Sequence, residues 1–236
     1  MTVSHIGNGL HTLSLFPEKD TSAVMTPANM AALELALDEL ERRTDLGLVV
    51  LLGGRRAFCL GAELSFIESA SQSELMAYLA QGRRLCERLA ALPVPTIAAV
   101  GGMALGGGLE LALACDIRWG DRRAAFGFPE GRSGLIPAWG GIERSFARMP
   151  ISLAWEMLLG QRIGSERAAA CGLISRVFES RGFMDAVVEQ AVALATQRSE
   201  VLRALKSAAH FANKGQGDEA LSLCFSLQTE REAVPT

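Results

Sequence analysis

Two glycine-closed apolar runs constrain this chain more than anything else in it. Leu46 to Leu52 reads LGLVVLL and stops at Gly53-Gly54, and Thr96 to Val100 reads TIAAV and stops at Gly101-Gly102. A strand that is apolar at every position, rather than at alternate ones, has both faces covered, which is the condition of a parallel sheet buried between layers. Helical periodicity separates the two runs. Thr26-Pro27 predicts an N-cap with proline at the first helical position, and Met30, Leu33, Leu37 and Leu40 recur at helical spacing from Asn29 to Arg43. A second amphipathic helix is predicted from about Ser73 to Leu92, stopped by Pro93 and Pro95. Strand and helix alternating along a chain define the α/β class.

Outside this centre, Thr12 to Phe16 is predicted as a strand, and a helix is expected to follow the glycine triplet at 106–108 as far as Ala114. A short strand is expected over Asp116 to Trp119, a helix capped by Ser165 as far as Ala170, a strand over Leu173 to Phe178, and helices beyond. No linker, low-complexity run or internal repeat is legible, and 236 residues suit one domain. The net charge of -3 gives no basic patch for a nucleic acid or an anionic membrane. No apolar run reaches the ~18 residues of a membrane span, and the N-terminus lacks the basic and apolar regions of a secretory signal. Cys59, Cys86, Cys115, Cys171 and Cys224 are scattered, without a CxxC pair. They are expected to be free buried thiols rather than a disulfide framework or a metal site, and a cytoplasmic location is the expectation.

Chemistry concentrates in three segments. Gly106-Gly107-Gly108 lies between a buried strand and a helix. Glycine permits a ligand to approach the backbone, and the first N–H groups of a helix lack internal acceptors and carry the positive end of its dipole. Such a turn polarises a carbonyl or stabilises an enolate oxygen; it can equally bind phosphate or serve only packing. Glu110 follows, three residues past Gly107, within the apolar LELALAC. A carboxylate there is costly unless paired or hydrogen-bonded, and its pKa is expected to rise into the range useful for proton transfer. Glu130, in FGFPEGRSGLIP, sits in a glycine-rich loop where functional side chains gather. The third segment, AFCLGAEL (57–64), follows the first buried strand. The C-terminal ends of such strands are where α/β sheets place their ligands.

Together the segments resemble the crotonase (enoyl-CoA hydratase/isomerase) superfamily from about residue 10 to about residue 233. AFCLGAEL is similar to that family's first oxyanion motif, PTIAAVGGMALGGGLELALACDIR to its second, and FGFPEGRSGLIPAWGGIERS to its third. The resemblance implies a spiral of β-β-α units spanning 1–180, a helical trimerisation region over 181–236, and a homotrimer or hexamer. It implies an acyl thioester whose carbonyl lies between the N–H groups of Ala62 and Gly107, with Glu110 and Glu130 as catalytic acid and base. Cys59, Leu60, Gly61, Leu64, Gly106, Ala138 and Trp139 become candidate substrate-binding residues. Trp139 stands where a small residue is usual, and either narrows the acyl cavity or adds a core aromatic. No resident cofactor or metal is implied; coenzyme A or phosphopantetheine arrives as part of the substrate. On this reading Gly107→Pro leaves a folded protein without its donor, and Gly107→Ala keeps the donor.

Retention of both glutamates matches hydratases and dehydratases, and the reaction implied is reversible syn hydration of a 2-enoyl thioester. Three departures bear on the carrier. The Lys19–Thr26 loop lacks the Arg-Asn-Ala-Leu pattern, Ser65 stands where a lysine is common, and the chain stops at TEREAVPT, where relatives continue into a final helix. These features motivate an alternative, a dehydratase or isomerase acting on an acyl carrier protein. A non-catalytic scaffold or RNA-binding role fits poorly with an acidic chain that keeps both glutamates.

Overall fold

The computed structural model of the chain describes residues 1–16, 22–54 and 56–223. Lys19, Arg55, Cys224 and Phe225 lie outside those residues. In chain order the elements are β1 (Thr2–Gly7), β2 (Leu10–Ser14), α1 (Pro27–Arg42), β3 (Leu48–Leu52), β4 (Ala57–Cys59), α2 (Leu64–Ser69), α3 (Gln72–Ala91), β5 (Thr96–Val100) and β6 (Met103–Leu105). Then come α4 (Gly107–Ala114), β7 (Ile117–Asp121), β8 (Ala125–Gly127), a 3-10 turn (Glu130–Ser133), α5 (Gly141–Arg148), α6 (Ile151–Leu158), β9 (Arg162–Gly164), α7 (Ser165–Ala170), β10 (Arg176–Phe178), α8 (Phe183–Leu194) and α9 (Ser199–Asn213).

The strands divide between two sheets. One has the order β1-β2-β3-β5-β7-β10, parallel except for the β1–β2 hairpin. The other has the order β4-β6-β8-β9. Each of β3, β5 and β7 enters the first sheet, and the strand after it (β4, β6, β8) turns into the second. The result is a spiral of β-β-α turns. The glycine pairs that close the apolar runs are its corners. A Cβ on Gly53 would lie 2.2 Å from Phe58 Cα, and Gly102, at φ +73°, would bring one to 2.7 Å from the Arg56 carbonyl. Only glycine lets the chain fold back that closely. The repeat is illegible in the sequence because its second strands are three residues long, too short for a periodicity.

Burial explains the unbroken hydrophobicity of β3. Val49 and Leu51 face the main core with α1, α3 and α4, whereas Leu48, Val50 and Leu52 face a second cluster with Phe183, Val187 and Ala191 of α8. Those α8 residues recur at i, i+4 and i+8, the spacing of one helix face. The tail is also pinned electrostatically: Lys206 Nζ of α9 reaches both oxygens of Asp116 at 2.5–2.6 Å, and Asp116 also accepts from Thr96 N–H and Oγ1–H.

Several boundaries differ from expectation. The strand predicted at Thr12–Phe16 is β2, and β1, a largely exposed strand without a buried face to mark it in sequence, precedes it. Asp116 is an anchor rather than a strand residue, so β7 runs from Ile117 to Asp121. Ser165 is the first residue of α7, not its cap, and its hydroxyl donates to the Arg122 carbonyl. Ser71, not Ser73, begins α3, through a capping box with Glu74. Cys59, Cys86 and Cys115 are buried free thiols, and Cys171 is a partly exposed one. No helix among the described residues is long and apolar enough to cross a membrane.

Candidate active site

A cavity of about 480 Å³ opens where the first corners of the spiral meet the 3-10 turn. Ala62 and Gly107 line it, as do Glu110 and Glu130, and so do Leu60, Leu64, Gly106, Ala138 and Trp139. Ser65, Ile67, Leu75 and Leu79 add to the wall.

The two amide donors are set side by side by close backbone packing. Segment 60–62 is held against segment 23–25 by Leu60 N–H on the Ala23 carbonyl and Met25 N–H on the Gly61 carbonyl, each 2.8 Å. The Ala62 N–H enters neither bond. Gly107 is the first residue of α4, so its N–H has no helical acceptor. Gly61, at φ +91°, lets these segments touch: a Cβ there would sit 2.8 Å from Gly107 N. Of the candidate substrate-binding residues, Gly61 and Cys59 do not line the cavity. The Cys59 thiol accepts from Gly61 N–H, and burial pushes its pKa up to about 12.

Glu110 is 2% exposed on α4. Its Oε1 accepts two backbone N–H bonds of 2.7 Å, from Trp139 and Gly141. A Cβ on Gly141 would fall 2.7 Å from Glu110 Cγ, so the approach needs glycine. Burial raises the Glu110 pKa to about 7, the charge of Glu130 adds to the rise, and the two amides and Arg144 oppose it. Glu130 arrives from the 3-10 turn and lies over Gly106: a Cβ on Gly106 would be 2.8 Å from Glu130 Oε1. Its Oε2 is buried with no hydrogen-bond partner among the described residues, and burial raises its pKa to about 7 as well.

Trp139 both lines the cavity and belongs to the core. Its ring is clamped between Gly82 of α3 and Gly107 of α4; a Cβ at either glycine would come within 2.2 Å of ring atoms. Gly107→Ala, although it keeps the donor, thus collides with the Trp139 ring, and Gly107→Pro has no room for its own ring. Sequence reasoning also missed the Trp139 and Gly141 amides and the Tyr78 latch. Tyr78 OH donates to the Met25 carbonyl at 2.5 Å and accepts from Glu63 N–H at 3.0 Å, bracing the Ala62 segment. Gly140-Gly141 before a helix was the available signal for the former; nothing local marks the latter, 53 residues from Met25.

The Glu110 shift has a consequence for stability. Below pH 4.5 the carboxyl is protonated whether the chain is folded or not. As pH rises from 4.5 to about 7 the unfolded chain ionises while the folded protein resists. Stability should fall across that window by on the order of 3 kcal/mol from this group. Glu110→Gln keeps an Oε1 acceptor for both amides. In urea denaturation it should gain stability over the parent at pH 8 and show little gain at pH 4.5. An equal difference at both values would sink the assignment.

The alternating sheets and the cavity at their corners define a crotonase-type α/β spiral. The sequence pattern of the enoyl-CoA hydratase/isomerase family matches residues 18–232, and the chain belongs to that family. It is 43% identical over 141 residues to the human mitochondrial methylglutaconyl-CoA hydratase, covering 59% of this chain and 42% of that protein, so the match spans less than half the relative's length. It is 29% identical over 211 residues to the short-chain-enoyl-CoA hydratase of Clostridium acetobutylicum, covering 86% of this chain and 81% of that one. The crystal structure of an enoyl-CoA hydratase from Bacillus anthracis superposes with a TM-score of 0.87 at 27% identity, over 98% of this chain and 95% of that one.

Proposed function

We propose that the protein catalyses reversible syn hydration of a 2-enoyl thioester. The observation that carries this reading is the convergence on one cavity of two buried carboxyls, whose pKa values burial raises to about 7, and two backbone N–H groups that have no acceptor among the described residues. The thioester oxygen sits between the Ala62 and Gly107 N–H groups. One glutamate, ionised, takes a proton from water as its oxygen bonds to C3. The electron pair of the double bond moves toward the thioester, and the enolate oxygen is held by the two amides. The other glutamate, protonated, then delivers its proton to C2. Two carboxyls titrating near neutrality make an ionised and a protonated partner available together. Hydration is followed by loss of the enoyl-thioester absorbance on a panel of 2-enoyl-CoA substrates. A protein that only shifts the double bond would be an isomerase instead.

The wall also bears on the carrier. Among the described residues no lysine or arginine lines the cavity, and Glu63 stands beside Ser65 at its edge. Each phosphate left without a cationic partner forgoes about 1.5–3 kcal/mol. A pantetheine thioester should therefore show a Michaelis constant close to that of the CoA thioester, as a carrier-protein substrate requires. A preference for intact CoA of about tenfold or more, which is about 1.4 kcal/mol, would reject the carrier-protein reading and point to a cation such as Arg56. The same family reading carries a homotrimer or hexamer, and a monomer in light scattering would count against it.

A further inference from the structure

We infer that His5, His11 and Asp45 form a binding site for a divalent, nitrogen-preferring transition ion of the zinc type, remote from the cavity. The three residues come from separate segments. His5 of β1 and His11 of β2 face each other across the hairpin in register, and Asp45 lies in the connection from α1 to β3. None of them lines the cavity.

The ligand atoms are close enough to share one ion. His5 Nδ1 and His11 Nε2 are 3.1 Å apart, and each is 3.7 Å from Asp45 Oδ2. Tetrahedral zinc bonds of about 2.0–2.1 Å place neighbouring ligand atoms roughly 3.3 Å apart, so small side-chain rotations suffice. The tautomer of His11 is set by its surroundings. Nδ1 lies 3.2 Å from the Gly9 carbonyl, an acceptor, so Nδ1 carries the proton and Nε2 presents its lone pair to His5 and Asp45. A ring nitrogen protonated against a backbone carbonyl is the usual outer support of a ligating histidine. His11 is fully buried. Without metal, His5 Nδ1–H donates to His11 Nε2. Binding moves that proton to His5 Nε2, which frees the second lone pair without net proton release. His5 and Asp45 are each about half exposed, which leaves an entry path and a position for water on the ion.

Arg43 opposes the site and limits its strength. Its Nε and Nη2 reach Asp45 Oδ1 and Oδ2 at 3.0 and 3.1 Å. Each carboxylate oxygen can still accept a second partner, so Oδ2 can serve both, but the guanidinium repels the ion. Imidazole-led binding of a borderline ion follows, rather than binding of an oxygen-preferring one. β1 has only β2 as a strand partner among the described residues, so the ion would staple this sheet edge to the α1–β3 connection.

The test is calorimetric titration of zinc chloride into the full chain after chelator dialysis, with thermal unfolding in parallel. The expected result is one bound equivalent and a rise in the unfolding temperature. His5→Ala, at a half-exposed position, should weaken binding at least tenfold and abolish the rise, and Asp45→Asn should weaken it too. His11 is buried, so its replacement risks the fold and does not carry the test. His210→Ala and Cys171→Ser check for adventitious sites and should bind as the parent does. No binding up to about millimolar zinc, the ~4 kcal/mol limit of a useful site, overturns the proposal. So does unchanged affinity in the His5→Ala variant.

Discussion

Glu110→Gln and Glu130→Gln should each lower turnover by at least about a hundredfold, the scale of a lost acid or base, while substrate binding changes much less. Both exchanges keep shape and an acceptor oxygen. For Glu110 that matters, since Oε1 must still take the Trp139 and Gly141 amides, so the fold of the 139–141 turn is kept. For Glu130 the loss is cleaner still, because Oε2 makes no hydrogen bond among the described residues that the exchange could disturb. With both pKa values near 7, the parent's rate should peak near neutral pH. It should fall on the acid side as the ionised base is protonated, and on the alkaline side as the acid is lost. Full activity in either variant would remove the paired-carboxyl mechanism. Combined with the stability gain expected of Glu110→Gln at pH 8, the variant should be a sturdier protein and a far poorer catalyst. Such a trade is expected of a buried working carboxylate.

Gly107→Ala should cost roughly 1–3 kcal/mol of stability through overpacking and reduce turnover by on the order of 10²–10³ if the amide is displaced from the substrate oxygen. The reason lies in Trp139, whose ring leaves no space for a Cβ at Gly107 and is blocked from retreating by Gly82. Gly82→Ala is the matching control. It meets the same ring from the other side but supplies no donor. Stability should fall in both variants, and turnover should fall further in Gly107→Ala. Equal turnover losses would mean that the ring's position, not the amide, governs the rate. Replacing Trp139 with alanine empties a buried ring site and should itself cost about 3–5 kcal/mol, but in that background Gly107→Ala should add no further loss, and the cavity should be larger. A shift of substrate preference toward bulkier enoyl groups in the single Trp139→Ala variant would identify the residue as the cavity's limiting wall; an unchanged acyl profile would leave it a packing element only.

Local chemistry made part of this protein legible from its sequence. Unbroken apolar runs could only be strands buried on both faces, Thr26-Pro27 does cap α1, and Glu110 in an apolar helix had to be satisfied by something. The three motif segments each bring residues to one cavity, because backbone donors and carboxylates keep a recognisable spacing within one strand-turn-helix unit. What the tertiary structure decided is whatever depends on residues far apart in the chain meeting. Three-residue strands become a second sheet only because glycine corners stack them, and no window of sequence that short holds a period. Glu110 finds its partners in the amides of 139 and 141. Gly61 and Cys59 do not line the cavity although Leu60 and Ala62 beside them do, because packing determines which residues of that segment face it. Trp139 is shaped by two glycines from different helices, and His5, His11 and Asp45 meet only across a hairpin and a distant connection. A chain's local patterns specify its elements through short-range sterics and burial, whereas the apposition of those elements is set by their shared core.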